Sequence, residues 1–302
     1  MPDPRPVIMD VDTGVDDSLA LALAVNSPEI ELIAVTTLAG NIDVDHATAN
    51  TRNVLAWLGR DDIPVHRGAS RPLARDARDA SHYHGANGLG DARLPTSEKP
   101  LGVDRGPAAI IRHVLARPGE ITLLCVGPLT NLAIALNVCP ELVDLLDRLV
   151  VMGGAFGRKG NVTPYAEFNV WADPKAAQQV FATSFKDATV VGLDVTELVA
   201  LDRSVWATAA TRPSPAATLI AQVCRRSFTE RGESEFFLHD PVALGLAFDP
   251  SFAEAEPAAI MVELTGEEEG RTNATEGGGW KRATRPDRDR FLAMFEERTG
   301  LR

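Results

Sequence analysis

The sequence predicts an α/β protein built on an open, mostly parallel sheet with helices on both faces. Short apolar runs alternate along the chain with longer segments of helical pattern, and this alternation is typical of repeated β–α units. The apolar runs are continuous and do not alternate with polar residues, as expected for strands whose two faces are both covered. Glycines and polar side chains follow directly after these runs, where sheets of this class bind ligands.

The individual elements follow in order along the chain. The predicted strands span residues 7–11, 31–37, 65–67, 121–126, 149–152 and 189–192. The predicted helices between them span residues 16–26, 44–58, 105–116, 129–136 and 173–181. Beyond Val199 the pattern becomes mostly helical, with helices at 215–229 and 241–247, a final strand pair within 256–284 and a closing helix from Arg288. No linker or internal repeat interrupts this order, so one domain spanning residues 1–302 with extra C-terminal helices is predicted.

Length, composition and charge limit the possible protein classes. The chain has 302 residues, 45% hydrophobic and 24% charged, as in globular proteins with a large core. Its formal net charge of -12 argues against a nucleic-acid partner, because phosphate binding needs a basic surface. Three scattered cysteines are too few for a disulfide framework or a zinc site. The start lacks a signal-peptide pattern and no apolar run approaches about 20 residues, so we expect a cytoplasmic protein without a membrane span.

Four aspartates, Asp10, Asp12, Asp16 and Asp17, fall within eight residues near the N-terminus. They follow the apolar run 7–9 and precede a helical stretch, which places them at the end of a buried strand and the start of a helix. Two carboxylates about 4 Å apart repel each other by roughly 4 kcal/mol at an effective dielectric of about 20. A cation offsets this repulsion, and oxygen-only ligands favour Ca²⁺ or Mg²⁺ over zinc or copper. The cluster therefore predicts a metal-dependent enzyme.

Further candidate residues lie after other predicted strands, where open parallel sheets form their binding crevice. These residues are Asn41, Val126, Asn161, Glu167 and Asn169. Late in the chain, His239 and Asp240 are further candidates, and they precede Pro241, a good first residue for a helix. Val126 contributes its carbonyl, which the following Gly-Pro turn frees. The Asn and Glu side chains offer donors and acceptors that suit sugar hydroxyls. They do not suit a phosphate, for which Arg, Lys or a glycine-rich helix start is expected.

Several of these segments resemble the inosine–uridine nucleoside hydrolases. The segments that carry the resemblance are DVDTGVDD at 10–17, TTLAGN at 36–41, HGANGLG at 84–90, VGPLTNLA at 126–133, MGG at 152–154, NVTP at 161–164, AEFNVWADP at 166–174 and HDP at 239–241. They occur in order from about residue 7 to 248. One such segment would be weak support, whereas the ordered set is specific.

The resemblance implies a Rossmann-like nucleoside hydrolase fold and one Ca²⁺ ion, with hydrolysis of the N-glycosidic bond of ribonucleosides. The implied metal ligands are Asp12, Asp17, Asp240 and the Val126 carbonyl, and ribose hydroxyls and water would complete the shell. Asp12 would also act as general base, and His239 would be the acid for the leaving base. The implied ribose-binding residues are Asp16, Asn41, Asn161, Glu167 and Asn169, and His84 on a flexible loop would cap the sugar or the base. The resemblance also implies a homodimer or homotetramer.

Two other functions fit part of the pattern. An apolar strand followed by Asp10 and Asp12 also opens haloacid-dehalogenase-like phosphatases, which use Mg²⁺ and a nucleophilic first aspartate. That hypothesis leaves Asp16 and Asp17 unexplained, and no lysine is convincingly placed for it. A calcium- or nucleoside-binding protein without catalysis is the second alternative, and the intact Asp12 and His239 argue against it.

A few residues have simpler expected roles. Asp10, inside the first strand, is expected to orient its neighbours and not to bind the metal. His82 is expected to be a loop residue, and Cys125 a small core residue. Trp280 lies in a Gly-rich segment that the resemblance does not cover, and it is a candidate to reach the site of this or a neighbouring subunit.

Overall fold

The computed structural model describes residues 3–302, and it confirms the predicted α/β architecture. Its strands are β1 Arg5–Val11, β2 Ile30–Thr37, β3 Val65–Arg67, β4 Thr122–Cys125, β5 Arg148–Met152, β6 Ala188–Val191, β7 Ala200–Asp202, β8 Glu235–Phe237, β9 Ala253–Val262, β10 Thr272–Glu276 and β11 Trp280–Pro286. Nine strands form one sheet in the order β10-β9-β11-β6-β5-β4-β1-β2-β3. Every neighbouring pair from β11 to β3 is parallel, whereas β9 pairs antiparallel with both β10 and β11.

Helices connect these strands and cover both faces of the sheet. They are α1 Val15–Val25, α2 Val44–Trp57, α3 Ser81–His84, α4 Gly106–Ala116, α5 Thr130–Val138, α6 Leu142–Leu145, α7 Phe168–Ala172, α8 Pro174–Phe181, α9 Leu193–Thr196, α10 Arg203–Ala209, α11 Pro215–Val223, α12 His239–Phe248 and α13 Arg288–Thr299. A π-helix spans Arg226–Glu230 and a short 3-10 helix spans Pro250–Phe252. None of the helices within residues 3–302 is long and apolar enough to cross a membrane.

The hydrophobic core lies in two layers, one on each face of the sheet. Along β1, Val7, Met9 and Val11 pack into the first layer and Ile8 packs into the second. Side chains alternate between the two faces of a strand, so a strand that is buried on both sides is apolar at most positions, and a buried polar residue such as Asp10 needs hydrogen-bond partners. This is why the central strands are continuous apolar runs in the sequence.

The C-terminal third departs from the prediction. Three strands, not a pair, occupy the region from Ala253 to Pro286, and β7 and β8 form a small antiparallel sheet where mostly helix was expected. Trp280 does not reach a functional site. It is 2% exposed, its ring packs edge-on against Phe181 and Phe185, and its indole nitrogen donates to the Thr183 carbonyl at 3.1 Å.

The parallel strands bring their carboxyl ends to one edge of the sheet. β1, β2, β4, β5 and β6 all run in the same direction, so the segments that follow them meet there. The polar residues predicted at strand ends are therefore collected at this edge.

Candidate active site

The N-terminal aspartates lie at the junction of β1 and α1, and all four are buried or nearly so. Asp17 folds its carboxylate back over the start of α1, where it accepts hydrogen bonds from the Gly14 amide at 2.8 Å and the Asp12 amide at 3.2 Å. Asp10 behaves as predicted for an orienting residue, because its carboxylate accepts from Thr36 and from Asn131. These bonds fix the loop that carries Asp12, Asp16 and Asp17.

The C-terminal half of the chain adds a further carboxylate to this group. Asp240 lies in the first turn of α12 and is 2% exposed. One carboxylate oxygen from each of Asp16, Asp17 and Asp240 lies within 4.8 Å of the others. The first loop and the His-Asp-Pro turn therefore meet, but the residue grouped with Asp17 and Asp240 is Asp16, which was expected to bind ribose, and not Asp12.

The electrostatics of this group favour a bound cation. Burial raises the pKa of Asp17 to about 7 and that of Asp16 to about 6, and it raises the pKa of Asp12 and Asp240 well above the usual range. Repulsion between neighbouring carboxylates contributes to the raised pKa of Asp12, Asp17 and Asp240. One oxygen of Asp12 and one of Asp16 are buried without a hydrogen-bond partner. Unpartnered buried oxygens in an all-oxygen donor set fit a hard divalent ion.

The Val126 carbonyl and Asn169 form the next wall of the site. The turn after β4 begins at Val126, whose amide donates to the Asp10 carbonyl at 2.9 Å. The Asn169 side-chain amide donates to the Val126 carbonyl at 2.7 Å and to the Met152 carbonyl at 3.2 Å. The structure thus brings Val126 and Asn169 together across the ends of β4 and β5.

Asn41 links the second strand to the aspartates. Its backbone amide donates to one oxygen of Asp12 at 2.6 Å, and its side-chain amide donates to Asp17 at 3.2 Å. Gly40 beside it has to be a glycine, because a Cβ atom there would lie 2.0 Å from the same Asp12 oxygen. The second Asp12 oxygen is left without a protein partner.

Glu167 and Asn161 use their side-chain oxygens on backbone amides. Glu167 is buried and accepts from the amides of Gly154, Asn169 and Val170, so it caps the start of α7. Asn161 is exposed and its side-chain oxygen accepts from the Phe168 amide at 3.0 Å. Glu167 therefore lies beside Asn169, whereas Asn161 lies toward solvent at the end of the same loop.

His84 ends α3 and packs against the start of α1. Its Nδ1 accepts a hydrogen bond from the Val15 amide at 3.1 Å and lies 3.9 Å from an Asp16 oxygen. Burial lowers the pKa of His84 to about 3, with smaller contributions from His82 and Arg231. His84 is therefore a neutral imidazole, and because Nδ1 is an acceptor, its proton is on Nε2.

His239 begins α12, next to Asp240. Its Nδ1 lies 2.7 Å from the hydroxyl of Thr196, the last residue of α9. Burial lowers the pKa of His239 to about 4, with smaller contributions from His84 and Arg158. The imidazole is thus neutral at physiological pH, so it offers an N–H group and not the proton of an imidazolium.

Two contacts that the sequence did not indicate hold the loop that carries His84. Arg226 of the π-helix pairs with Asp91, and the Arg231 guanidinium lies 4.4 Å from the centre of the Tyr83 ring. Asp91 has φ of 62°, a left-handed conformation that residues other than glycine rarely adopt. Asp91 and Arg226 are far apart in the chain, so their ion pair leaves no local pattern in the sequence. The only signal for Asp91 is its position beside the Gly-rich segment. Thr196 was also missed, although it follows β6 at the same edge as the other site residues.

Comparisons with known proteins agree with this geometry. Residues 7–293 match the family model described as inosine-uridine preferring nucleoside hydrolase. The chain is 36% identical to a Leishmania major protein of that name, over 87% of this chain and 85% of the relative. It is 38% identical to the non-specific ribonucleoside hydrolase RihC of Shigella boydii, over 87% of this chain and 85% of the relative.

Solved structures give the same result. A plant nucleoside hydrolase superposes with a TM-score of 0.93 at 32% identity, covering 98% of this chain and 99% of the other. A purine-preferring ribonucleoside hydrolase from Gardnerella vaginalis superposes with a TM-score of 0.92 at 31% identity, covering 98% of this chain and 99% of the other. The chain belongs to the inosine-uridine preferring nucleoside hydrolase family and is an N-glycosyl hydrolase of ribonucleosides.

Proposed function

We propose that this chain is a Ca²⁺-dependent enzyme that hydrolyses the N-glycosidic bond of purine or pyrimidine ribonucleosides to free base and ribose. The observation that carries the proposal is the convergence of Asp16, Asp17 and Asp240, with carboxylate oxygens within 4.8 Å of one another in a buried site. Packing these carboxylates together is costly unless a cation is present.

Ca²⁺ is the ion that suits these donors. Asp12, Asp17, Asp240 and the Val126 carbonyl would hold it, and all four offer oxygen atoms to a hard cation. When bound, such an ion would supply coordination for ribose hydroxyl groups and would make a nearby water easier to deprotonate. Asn169 supports this assignment, because its hydrogen bond fixes the direction of the Val126 carbonyl.

Asp12 is the general base in this mechanism. One of its oxygens is held by the Asn41 amide, and the other is buried and unpartnered, so it is free to accept a proton from the attacking water. Burial raises the pKa of Asp12 well above its usual range in the metal-free protein, and a bound cation would keep the carboxylate ionised and able to accept the proton. Water adds to C1′ of the ribose as the C1′–N bond breaks, and positive charge develops on the sugar ring. The neighbouring carboxylates stabilise that charge.

The ribose is held by groups on both sides of the carboxylates. We assign this role to Asp16, Asn41, His84, Asn161, Glu167 and Asn169. Asp16 has a buried oxygen without a partner, which is available to a hydroxyl donor. Glu167 and Asn161 would have to share oxygens that already accept backbone amides, so their contribution includes holding the loop after β5. His239 assists the departure of the base.

The phosphatase alternative is less consistent with the site. That mechanism needs Asp10 as a nucleophile, yet Asp10 is fully buried and bonded to Thr36 and Asn131. The mechanism also needs a lysine beside the phosphate, and Lys159, Lys175 and Lys186 are all exposed and do not lie in the buried site.

The base preference and the assembly complete the proposal. The relatives are named non-specific, inosine-uridine preferring and purine-preferring, so either base class is compatible with this family. We further propose one domain and a homodimer or homotetramer, which sedimentation at several protein concentrations would test.

Product release tests the proposed activity. The protein is incubated with inosine, adenosine, guanosine, uridine or cytidine, with Ca²⁺ or with a chelator, and free base is measured. In parallel, phosphate release is measured from a phosphomonoester. Calcium-dependent release of base from at least one nucleoside is expected. Phosphate release, or nucleoside binding without turnover in the presence of Ca²⁺, would contradict the proposal.

A further inference from the structure

Thr196 makes a single side-chain hydrogen bond, and its partner is His239. The hydroxyl lies 2.7 Å from Nδ1 of the imidazole, and Thr196 is fully buried. Within residues 3–302 the hydroxyl has no other hydrogen-bond partner, and no protein hydrogen bond involves Nε2 of His239, a residue that is only partly buried. The two residues come from different helices, α9 and α12, which meet at the edge of the sheet that holds the carboxylates.

The number of available partners fixes the direction of this hydrogen bond. A threonine hydroxyl carries one proton, and the only acceptor within reach is Nδ1 of His239. If Nδ1 carried the proton instead, the hydroxyl proton would be buried without an acceptor, at a cost of roughly 1–3 kcal/mol. Thr196 therefore donates to Nδ1, and the proton of the neutral ring lies on Nε2.

Helix α9 is held firmly enough to impose this geometry. Arg158 donates to the carbonyl of Leu193, the first residue of α9, at 2.9 Å and forms an ion pair with Glu197, the residue that follows α9. Asp194, on the same helix, pairs with Arg282 of β11 at 2.9 Å. A four-residue helix would otherwise be marginal, so these contacts keep Thr196 in a fixed position relative to α12.

We propose that Thr196 is a positioning residue that holds His239 as the tautomer protonated on Nε2, which hydrogen-bonds the departing base. This inference rests on the proposed hydrolase function. As the C1′–N bond breaks, its electron pair moves to the base, and the Nε2–H group stabilises the negative charge that develops there. Water supplies the oxygen to C1′ and its proton to Asp12, and the base takes its proton from solvent. A neutral histidine donates a hydrogen bond in this role without itself losing a proton.

Two substitutions and two substrates test the assignment. Thr196→Val keeps the shape and removes the hydroxyl, whereas Thr196→Ser keeps the hydroxyl. One substrate is a natural nucleoside that the wild-type enzyme hydrolyses. The other is 4-nitrophenyl β-D-ribofuranoside, whose leaving group departs readily without assistance.

The expected pattern separates leaving-group assistance from general damage. Thr196→Val should lower kcat for the nucleoside by about 10- to 100-fold, with KM changed by less than about threefold. Its kcat for the nitrophenyl riboside should stay within about twofold of wild type, and Thr196→Ser should resemble wild type on both substrates. An equal loss on both substrates, or no loss on the nucleoside, would overturn the proposal.

Nitrogen-15 NMR of the calcium-loaded protein gives a readout besides activity. With the His239 signals assigned through a His239→Gln variant, wild type should show an unprotonated Nδ1 and a protonated Nε2. The Thr196→Val variant should show a mixture of tautomers. A wild-type proton on Nδ1 would overturn the tautomer assignment even if the enzyme is active. Failure of the wild type to hydrolyse any nucleoside would instead count against the proposed function and would leave this spectroscopic result standing.

Discussion

The side-chain amide of Asn169 donates a hydrogen bond to the carbonyl oxygen of Val126 across 2.7 Å. The same amide also reaches the Met152 carbonyl at 3.2 Å, so one side chain ties the turn after β4 to the end of β5. A carbonyl oxygen has two lone pairs, so the Val126 oxygen keeps one for a cation while Asn169 fixes its direction. If the Val126 carbonyl binds the proposed Ca²⁺, Asn169 would influence the metal without having to touch it.

Asn169→Ala should therefore weaken Ca²⁺ binding. The freed Val126 carbonyl would no longer be held toward the carboxylates, and we expect the Kd for Ca²⁺ to rise by about 10- to 100-fold. Isothermal titration calorimetry of the apo protein measures this value. Asn137→Ala, at an exposed position of α5, is the matched control and should bind Ca²⁺ like wild type. An unchanged Kd in Asn169→Ala would remove Asn169 from the metal site.

Asp12→Asn should abolish most of the turnover. The amide retains the size of the side chain but cannot accept the proton of the attacking water, so we expect kcat to fall by about 10²- to 10⁴-fold. Steady-state kinetics at saturating Ca²⁺ measure the loss, because the same change also weakens metal binding. Asp45→Asn, on the exposed start of α2, controls for the loss of a carboxylate elsewhere. Near-normal kcat in Asp12→Asn would refute the assignment of the base.

His239→Ala should lower kcat more than it weakens substrate binding. The imidazole assists bond breaking, and its contribution is therefore largest in the transition state. We expect kcat to fall by about 10²-fold or more, with a smaller change in the substrate Kd measured under non-turnover conditions. His46→Ala removes an exposed imidazole as a control. A weaker substrate Kd with unchanged kcat would make His239 a binding residue.

The chelated protein should become less stable as pH rises. Burial raises the pKa of Asp10 and Asp17 to about 7 and that of Asp16 to about 6, so the folded apo protein binds more protons than the unfolded chain between about pH 4 and 7. Stability from these groups is complete below about pH 4 and is lost as pH rises through 6 and 7. A change of 1 kcal/mol shifts Tm by roughly 2–4 °C in a large domain, so a decrease of several degrees is expected.

Calcium should remove that pH dependence. A bound cation neutralises the carboxylates, so the difference in Tm between the Ca²⁺-loaded and the chelated protein should grow between about pH 5 and 8. Scanning calorimetry in both states measures this difference. A constant difference across that range would show that the cation does not act on these aspartates.

Asp91→Asn tests the contacts that hold the His84 loop. Asparagine tolerates the left-handed conformation of residue 91, so the substitution removes the ion pair with Arg226 and preserves the backbone. The pair is partly exposed and worth only about 0–1 kcal/mol, so Tm should change by less than a few degrees. KM should rise by about three- to tenfold because the loop carrying His84 is ordered less often in the free enzyme. Asp62→Asn, which removes an exposed ion pair with Arg60, is the control.

The double variant Asp91→Asn with His84→Ala completes that test. If the ion pair acts through His84, adding Asp91→Asn to His84→Ala should change KM little beyond the effect of His84→Ala alone. Fully additive effects of the two substitutions would mean that the pair acts on the site by another route.

The sequence predicts the central sheet well because those strands are buried on both faces. β1, β2, β4, β5 and β6 are short, continuous apolar segments, and their bounds differ from the prediction by only one or two residues. The segments after them were identified for the same reason, since a polar residue directly after a buried strand stands out. Asp12, Asn41 and Val126 all lie at the edge where they were expected, whereas Asp240 follows no strand of the central sheet and was identified from the His-Asp-Pro segment.

The remaining features depend on contacts that leave no local pattern. β10 reads TNATE, which is too polar to resemble a strand, and it forms because Val262 and its neighbours on β9 supply hydrogen bonds. β7 and β8 are each three residues long, which is too short to give a recognisable strand pattern in the sequence. The Thr196–His239 contact is a tertiary event of the same kind, and the low pKa of His239 follows from burial, which a single sequence does not report.

Asp16 and Asp17 lie near the beginning of the chain, whereas Asp240 lies in the long connection between β6 and β11. A growing polypeptide on the ribosome therefore cannot bring these three carboxylates together until β1 to β6, six of the nine strands of the sheet, have been synthesised. A cation bound by these three carboxylates would therefore stabilise the fold only late in synthesis, and a fragment that ends before Asp240 would lack one of the three carboxylates.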